Sequence, residues 1–517
     1  MSEKKAGLFK TTVSVSLLVI VGKILGFWRE ALIAAYYGAT AETDAFFFAQ
    51  SMPNMIFPAI SGGLSTAMTS LYVKRLENCG EYSGDRYVSR LLNGLILLGC
   101  GLGFAGFMVS PLLVSLLAPG FTGSQAALAS LLSRIVMVSF PLYFMNYMLG
   151  AVLNSRRVFI SSQVAGLLYN LTIILLTIAF GQERGALFLC AATALGTVAQ
   201  FMCLLFLCAR SRFHYTLCVN PFHVDTAELF RLALPIMLGN SVVQLNNIVD
   251  KALGSLQPEG SLSTLSYASS LDALVISIFV TSLSTVLYPT LTSMAASSNQ
   301  TEYGKTLLQS LSGLTLILLP ISCITLLVAD DVVNIVYARG SFDQTAVSYT
   351  SAVLTCYAPQ FLFVGVREVL TRGFFALQDT KTPSVNSAIG VGCNIVFSLI
   401  FVRWLGLQGI AMGTSLSALV SAVLLLHRAR VRLPELRFSA FYRQLAKQAA
   451  AGLALMLILS IFRRLFPVSN ALLHFALSTL IGFSVYFTAL LLVDRKGSRE
   501  ILSSLLRRMK KGSRTES

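Results

Sequence analysis

Charge is what this sequence has least of. Only 12% of its 517 residues are Asp, Glu, Lys or Arg, while 55% are hydrophobic, and mean hydropathy is +0.72. A soluble globular chain carries about 25% charge. The shortage excludes an ordinary water-soluble domain, and repeated apolar runs of about twenty residues put a polytopic membrane protein in its place. Acidic charge is scarcer than basic, 23 residues against 39, for a net charge of +16. That excess would suit nucleic acid, but most of the cations sit in short segments between apolar runs, where membrane topology places them, so no nucleic-acid partner is expected. Histidine is rare: His214, His223, His427 and His474 are scattered and fit no metal spacing. The nine cysteines are odd in number, lie mostly in apolar runs and form no Cys-x-x-Cys. They read as small buried hydrophobes. Walker A, HExxH and Gly-x-Ser-x-Gly sequences are all missing. Gly101-Leu102-Gly103-Phe104-Ala105-Gly106 matches the dinucleotide fingerprint in letters only, because it follows no strand, and reads as a helix-packing face. No covalent chemistry, metal or cofactor is expected, and the chain reads as a transporter rather than an enzyme.

What is present is a series of fourteen apolar runs, near 11–37, 45–73, 88–117, 127–153, 158–180, 185–209, 229–253, 264–291, 305–329, 346–376, 384–402, 406–427, 444–462 and 471–493. The first follows Lys4, Lys5 and Lys10, as in a signal peptide, but it is too long for one and reads as a permanent span. With the N-terminus inside, alternate segments carry 28 inside cations against 6 outside. This bias predicts an all-α protein with an even number of spans and both termini cytoplasmic. The halves also resemble each other. Trp28-Arg29-Glu30-Ala31-Leu32 aligns with Val249-Asp250-Lys251-Ala252-Leu253, Leu64-Ser65-Thr66 with Leu283-Ser284-Thr285, and Gly166 and Asn170 with Gly390 and Asn394. Six spans separate the copies, so they are parallel repeats, an organisation that flanks a central site reached alternately from each side. The expected domains are an N-terminal lobe, 1–210, a C-terminal lobe, 211–430, and a C-terminal helix pair with a basic tail, 431–517.

Five cations remain inside spans: Lys23, Arg29, Arg134, Arg367 and Arg372. An intramembrane cation costs about 2.5–3.5 kcal/mol on insertion scales and marks function by default. Lys23 and Arg29 share the first span, about 9 Å apart along it. In one reading Lys23 snorkels to the cytoplasmic face and Arg29 pairs with Glu30 or Asp44. In the other they form a cationic patch that binds an anion from a water-filled cavity. Asp44 either caps the second helix or partners Arg29 at an outer gate. Asn54, beside Pro53, either satisfies a carbonyl freed by the prolines or lines the cavity. Asp250 and Lys251 form an end-of-helix pair or a coupling-cation site.

Gly22-Lys23-Ile24-Leu25-Gly26-Phe27-Trp28-Arg29-Glu30, Gly38-Ala39, Thr43-Asp44-Ala45-Phe46 and Met52-Pro53-Asn54 resemble the N-terminal signature of the bacterial MurJ/MviN flippase family. Gly373-Phe374-Phe375-Ala376-Leu377-Gln378-Asp379-Thr380-Lys381-Thr382-Pro383 resembles its later cytoplasmic signature. The resemblance implies a MOP-type fold of about 14 spans, two parallel six-helix lobes plus two C-terminal helices, in the bacterial cytoplasmic membrane. It implies movement of undecaprenyl-diphosphate-linked peptidoglycan precursor, lipid II, from inner to outer leaflet by alternating access. It carries substrate roles onto Arg29, Lys23, Asp44 and Asn54. Asp250 and Lys251 stand as candidates for coupling or gating, driven by Na+, H+ or the membrane potential, and wall-synthesis machinery is the implied partner. Two positions depart from the pattern: Phe57 and Ser270 stand where members carry cavity arginines, which leaves Lys251 as the second lobe's cation. The alternatives are an exporter of another polyprenyl-linked glycan, of O-antigen or teichoic acid type, and a non-transporting scaffold for wall synthesis. A cation-coupled drug exporter of the same superfamily would need an acidic, aromatic site, and the basic first span counts against it.

Overall fold

The computed structural model describes residues 2–181, 184–217, 224–296, 300–433, 438–466 and 470–493. Every regular element among them is helical. A helix closes its backbone hydrogen bonds within itself, which a chain in hydrocarbon requires. The helices fall into two compact units, Met1–Ser266 with Arg339–Asp343, and Tyr267–Ala338 with Gln344–Ser517.

The first unit holds α1 (Ser2–Tyr37), α2 (Ala41–Met108), α3 (Ser110–Leu117), α4 (Gly123–Val138), α5 (Phe140–Ser155), α6 (Ile160–Phe180), α7 (Ala186–Arg210), α8 (Val224–Ser255) and the start of α9 (Ser261–Ile276). α2 runs through both expected spans 45–73 and 88–117, but it is not one rod. Gly80 sits at φ +80°, ψ 170°, and the Tyr72 hydroxyl donates to Asp85 Oδ1 at 2.6 Å. Thirteen residues of straight helix would separate them by about 20 Å, so the chain reverses at Gly80, where a positive φ favours glycine. The expected span 127–153 is bent by 41° between α4 and α5. Pro141 stands in the first turn of α5, where its missing N–H costs nothing but would have broken a continuous helix. α1 packs on α6, α6 on α7, and α2 on α4, α5 and α8. Gly103 and Gly106 make the α2–α4 approach possible. A Cβ on Gly103 would stand 2.8 Å from the Met137 carbonyl oxygen, and one on Gly106 2.7 Å from the Met137 sulfur. Of the fingerprint-like glycines, Gly103 and Gly106 form a packing face, while a Cβ on Gly101 would meet nothing within 4 Å.

The second unit continues α9, then has a π-helical turn (Ser277–Thr281), α10 (Ser282–Ala296), α11 (Gln300–Tyr337), α12 (Gln344–Tyr357), α13 (Gln360–Ala376), α14 (Lys381–Leu405), α15 (Leu407–Arg432), α16 (Phe438–Leu465) and α17 (Ala471–Val493). The expected span 264–291 is therefore interrupted, and 346–376 breaks before Gln360, at Pro359. Leu307, Leu311, Leu314 and Leu318 recur at helical spacing on α11 and pack with Phe361, Leu370, Leu425 and Phe441. Another face of α11, with Leu316 and Leu319, meets Leu455 and Leu459 of α16 and Tyr486 and Leu490 of α17. The C-terminal pair thus docks on α11.

Among the described residues, ten helices are long and apolar enough to cross a membrane, or eleven if the bent pair α4–α5 counts as one span. This criterion scores the hairpin helix α2 once and does not return α1 or α8, so it does not recover all fourteen expected runs.

Candidate functional site

Arg29 sits on the face of α1 that packs on α6, beyond Gly26, where a Cβ would lie 3.9 Å from the Asn170 amide. The small residue lets α6 come near enough to take hold of the arginine. Nη1 of Arg29 donates to Asn170 Oδ1 at 3.0 Å, and Nη2 meets Glu30 Oε1 at 3.3 Å. The guanidinium carbon stands 5.7 Å from the centre of the Tyr169 ring, within range of a cation–π interaction. Asn170 is itself held by an Nδ2 bond to the Gly166 carbonyl at 3.2 Å, so its oxygen is aimed at Arg29. The Tyr169 hydroxyl accepts from Gln50 Nε2 at 3.3 Å. The Arg29 and Glu30 side chains are 15% and 19% exposed, and Arg29 Nε and Glu30 Oε2 have no protein partner among the described residues. A guanidinium offers five N–H donors. Here they are half sheltered and partly unspent, an arrangement that accepts a phosphate or carboxylate in fork geometry.

The other expected site residues are placed as follows. Lys23 is exposed on α1. Asn54 and Phe57 have side chains outside the described residues. Ser270 is half-buried on α9. Asp44 corrects both of its readings. Thr40 caps α2, sharing a capping box with Thr43, and Arg29 bonds Glu30 rather than Asp44. The Asp44 carboxylate instead reaches the N-terminus of α9. It accepts from the Gly260 N–H and Ser263 N–H, each at 2.7 Å, and from the Ser263 hydroxyl at 2.7 Å. A helix start has four N–H groups without intrahelical partners and carries partial positive charge, so a buried carboxylate finds its complement there. Gly260 permits the approach. It has φ +85°, and a Cβ would run into the Ala39 carbonyl. Nearby, Ser341 N–H donates to the Ala35 carbonyl at 2.7 Å, and Gly120 N–H donates to Ser255 Oγ at 3.2 Å. The loops around 38, 120, 260 and 340 interlock into a latch at one end of this unit.

Lys251 Nζ donates to Ser266 Oγ at 3.0 Å, and Asp250 Oδ2 accepts from Asn246 Nδ2 at 3.1 Å. Asp250 Oδ1 has no protein partner among the described residues. Asp44, Asp250 and Glu30 all lie within Coulombic range of the Lys251 ammonium. The aligned residues of the two copies, Arg29-Glu30 and Asp250-Lys251, therefore share one electrostatic neighbourhood. Among the described residues, no three His, Cys, Asp or Glu side chains gather as metal ligands.

Sequence reasoning missed Tyr169 and Asn170 as the holders of Arg29. Asn170 was legible only as a repeat marker; its signal was an amide inside an apolar span. It also left the cations of α13 unassigned. There Arg372 bonds Glu368 at 2.7 Å across one helical turn and is 37% exposed, with its guanidinium 6.0 Å from the Tyr288 ring.

An all-helical bundle with many helices long and apolar enough to cross a membrane, and an arginine held half-open among them, is a multi-span membrane protein. The chain belongs to the lipid II flippase MurJ family, whose model matches residues 33–493. Among curated relatives, a probable lipid II flippase MurJ of Buchnera aphidicola subsp. Acyrthosiphon pisum is 28% identical over 81% of this chain and 83% of its own. A protein of the same description from Vibrio cholerae is 25% identical over 81% and 82%. In fold, the chain is similar to a lipid II flippase MurJ in an inward closed conformation, with TM-score 0.80, 24% identity, and coverage of 93% of this chain and 99% of that one. It is also similar to an inward-facing MATE multidrug transporter of the MOP superfamily, with TM-score 0.69, 16% identity, and coverage of 84% and 99%.

Proposed function

We propose that this protein moves lipid II from the inner to the outer leaflet of the bacterial cytoplasmic membrane by alternating access, with Arg29 contacting the diphosphate. The observation that carries the reading is the Arg29 guanidinium, fixed by Asn170 and Tyr169 yet with its Nε unpaired among the described residues. A diphosphate headgroup needs sheltered cations, while the polyprenyl tail stays in lipid. Lys23 adds positive potential toward the cytoplasmic mouth. The Asp44 latch closes the outer end and opens when substrate leaves. Family membership favours lipid II over other polyprenyl-linked glycans and over a scaffold. The chain works beside the wall-synthesis enzymes that make and consume its substrate.

The test is complementation of a flippase-depleted strain with membrane levels of each variant measured. Arg29→Ala abolishes growth at normal accumulation, Arg29→Lys restores it in part because the planar fork is lost, and Lys23→Arg is tolerated where Lys23→Glu is not. Growth on Arg29→Ala sinks the reading. Both termini and the segments 74–90, 210–231 and 428–447 face the cytoplasm. Introduced cysteines there resist external labelling, and those in 118–126 and 330–344 accept it. For coupling, a ligand shifts an equilibrium only by its differential affinity for the two states. Asp250 is our candidate ligand for Na+ or H+, with membrane potential the competing drive. Transport by Asp250→Asn that keeps the wild-type response to ion gradients removes it.

A further inference from the structure

A cavity of about 300 Å³ lies in the first unit, and neither Arg29 nor its partners Glu30, Tyr169 and Asn170 line it. It is walled by Leu92 and Ile96 of α2, Met145 and Leu149 of α5, and Phe201 and Leu205 of α7, with Phe213 and Tyr215 covering it. That volume is at the lower end for ligand pockets. The cover is fastened down. The Tyr215 hydroxyl donates to Asn93 Oδ1, Asn93 Nδ2 donates to the Thr216 carbonyl at 3.3 Å, and Thr216 N–H donates to Ser89 Oγ at 3.1 Å. The polar side chains of the wall, Asn93 and Tyr215, therefore satisfy each other. They offer little to water, which needs two to four polar partners in a cavity. The space asks for an apolar occupant.

Its rim is basic. α7 ends at Arg210, and Arg212 follows, so the two arginines lie between the lining residues Ala209 and Phe213. Arg156 Nη1 donates to the Ser211 carbonyl at 2.7 Å, which brings Arg157 to the same place. Arg157, Arg210 and Arg212 are all exposed. The acid at this corner, Asp85, is buried and bonded to Arg156 at 2.5 Å. Its charge is spent on Arg156 rather than on the exposed cations.

We propose that this pocket and rim form a binding site for an anionic glycerophospholipid, with one acyl chain under the 213–215 cover and the phosphate at Arg210, Arg212 and Arg157. The site is separate from the diphosphate site and does not depend on the assignment of Arg29.

The experiment uses the full chain, purified in detergent and exposed to dioleoyl phosphatidylglycerol or dioleoyl phosphatidylcholine, with retained lipid counted by native mass spectrometry and Tm recorded. Wild-type protein retains phosphatidylglycerol preferentially and gains Tm with it. The double variant Arg210→Gln/Arg212→Gln loses that preference by more than about tenfold, since each arginine near an anionic headgroup contributes about fivefold. Leu205→Trp, which fills the cavity mouth from an exposed position, lowers retention of phosphatidylglycerol while the arginines are intact. If Leu205→Trp does not accumulate, the arginine pair decides alone. Equal retention of both lipids by wild type, meaning non-specific annular lipid only, overturns the proposal. So does an unchanged preference for phosphatidylglycerol in the Arg210→Gln/Arg212→Gln variant.

Discussion

Asp85 and Arg29 are both charges held within the first unit, and they are treated in opposite ways. Asp85 has its carboxylate fully engaged, accepting from Tyr72 at 2.6 Å, from Arg156 at 2.5 Å and from the His214 N–H at 2.8 Å. Arg156 is spent as well, on Tyr72, Asp85 and the Ser211 carbonyl. Arg29 has a neutral amide, a loosely held Glu30 and a ring beneath it, and its Nε finds no partner among the described residues. A closed set of bonds fixes structure. An open set in a sheltered place is ready for a ligand, because an unpaired buried donor is costly until something fills it.

The largest effect that separates the two comes from Asp85→Ala. Removing one partner of a buried ion pair costs about 3–5 kcal/mol, so membrane accumulation and Tm fall sharply. The protein that remains still transports at the wild-type rate per molecule. If accumulation holds and transport alone is lost, Asp85 belongs with Arg29 and the contrast is false.

Asn170→Asp approaches the same contrast from the other side. It sets a carboxylate 3.0 Å from Nη1 and gives Arg29 the closed set it lacks. Transport falls at least tenfold while Tm holds or rises, since a hydrogen bond to a charged group is worth about 1.5–3 kcal/mol. Asn170→Ala loses only part of the activity. Equal transport by the aspartate variant and wild type would show that Arg29 is no ligand.

Asp44→Asn gives a smaller effect. The amide keeps one acceptor oxygen for α9 and loses the charge, so the change is of the order of an N-cap loss, about 1 kcal/mol. It is read as faster labelling of a cysteine introduced at buried Thr264, with substrate transport altered but not abolished. An unchanged labelling rate would mean the latch does not depend on Asp44.

The smallest effect belongs to Asp379, in the loop before α14. Bonds from the Thr382 N–H at 3.0 Å and hydroxyl at 2.7 Å hold its carboxyl below the usual carboxylate range. A folded value lower than the unfolded one contributes stability above the unfolded value, about 3.9. That contribution is lost as pH falls through the folded value. Asp379→Asn therefore lowers Tm slightly at pH 7, and the difference disappears in acid. A gap that widens in acid would contradict the assignment.

The sequence by itself determined the all-helical membrane class, because the shortage of charge and the length of the apolar runs leave no other way to satisfy the backbone. It also singled out Arg29, since a cation inside a span is costly enough to stand out in one chain. Only the tertiary structure decided what each polar residue meets. Asp44 lies 216 residues from Gly260, and Arg29 lies 141 from Asn170. No periodicity or local spacing encodes such pairs, which form only when α1 packs on α6 and when the latch loops interlock. The hairpin at Gly80, the bend before Pro141 and the π turn at 277–281 were hidden for a related reason. An apolar run records that a segment is buried in lipid or protein, not where backbone bonds give way inside it.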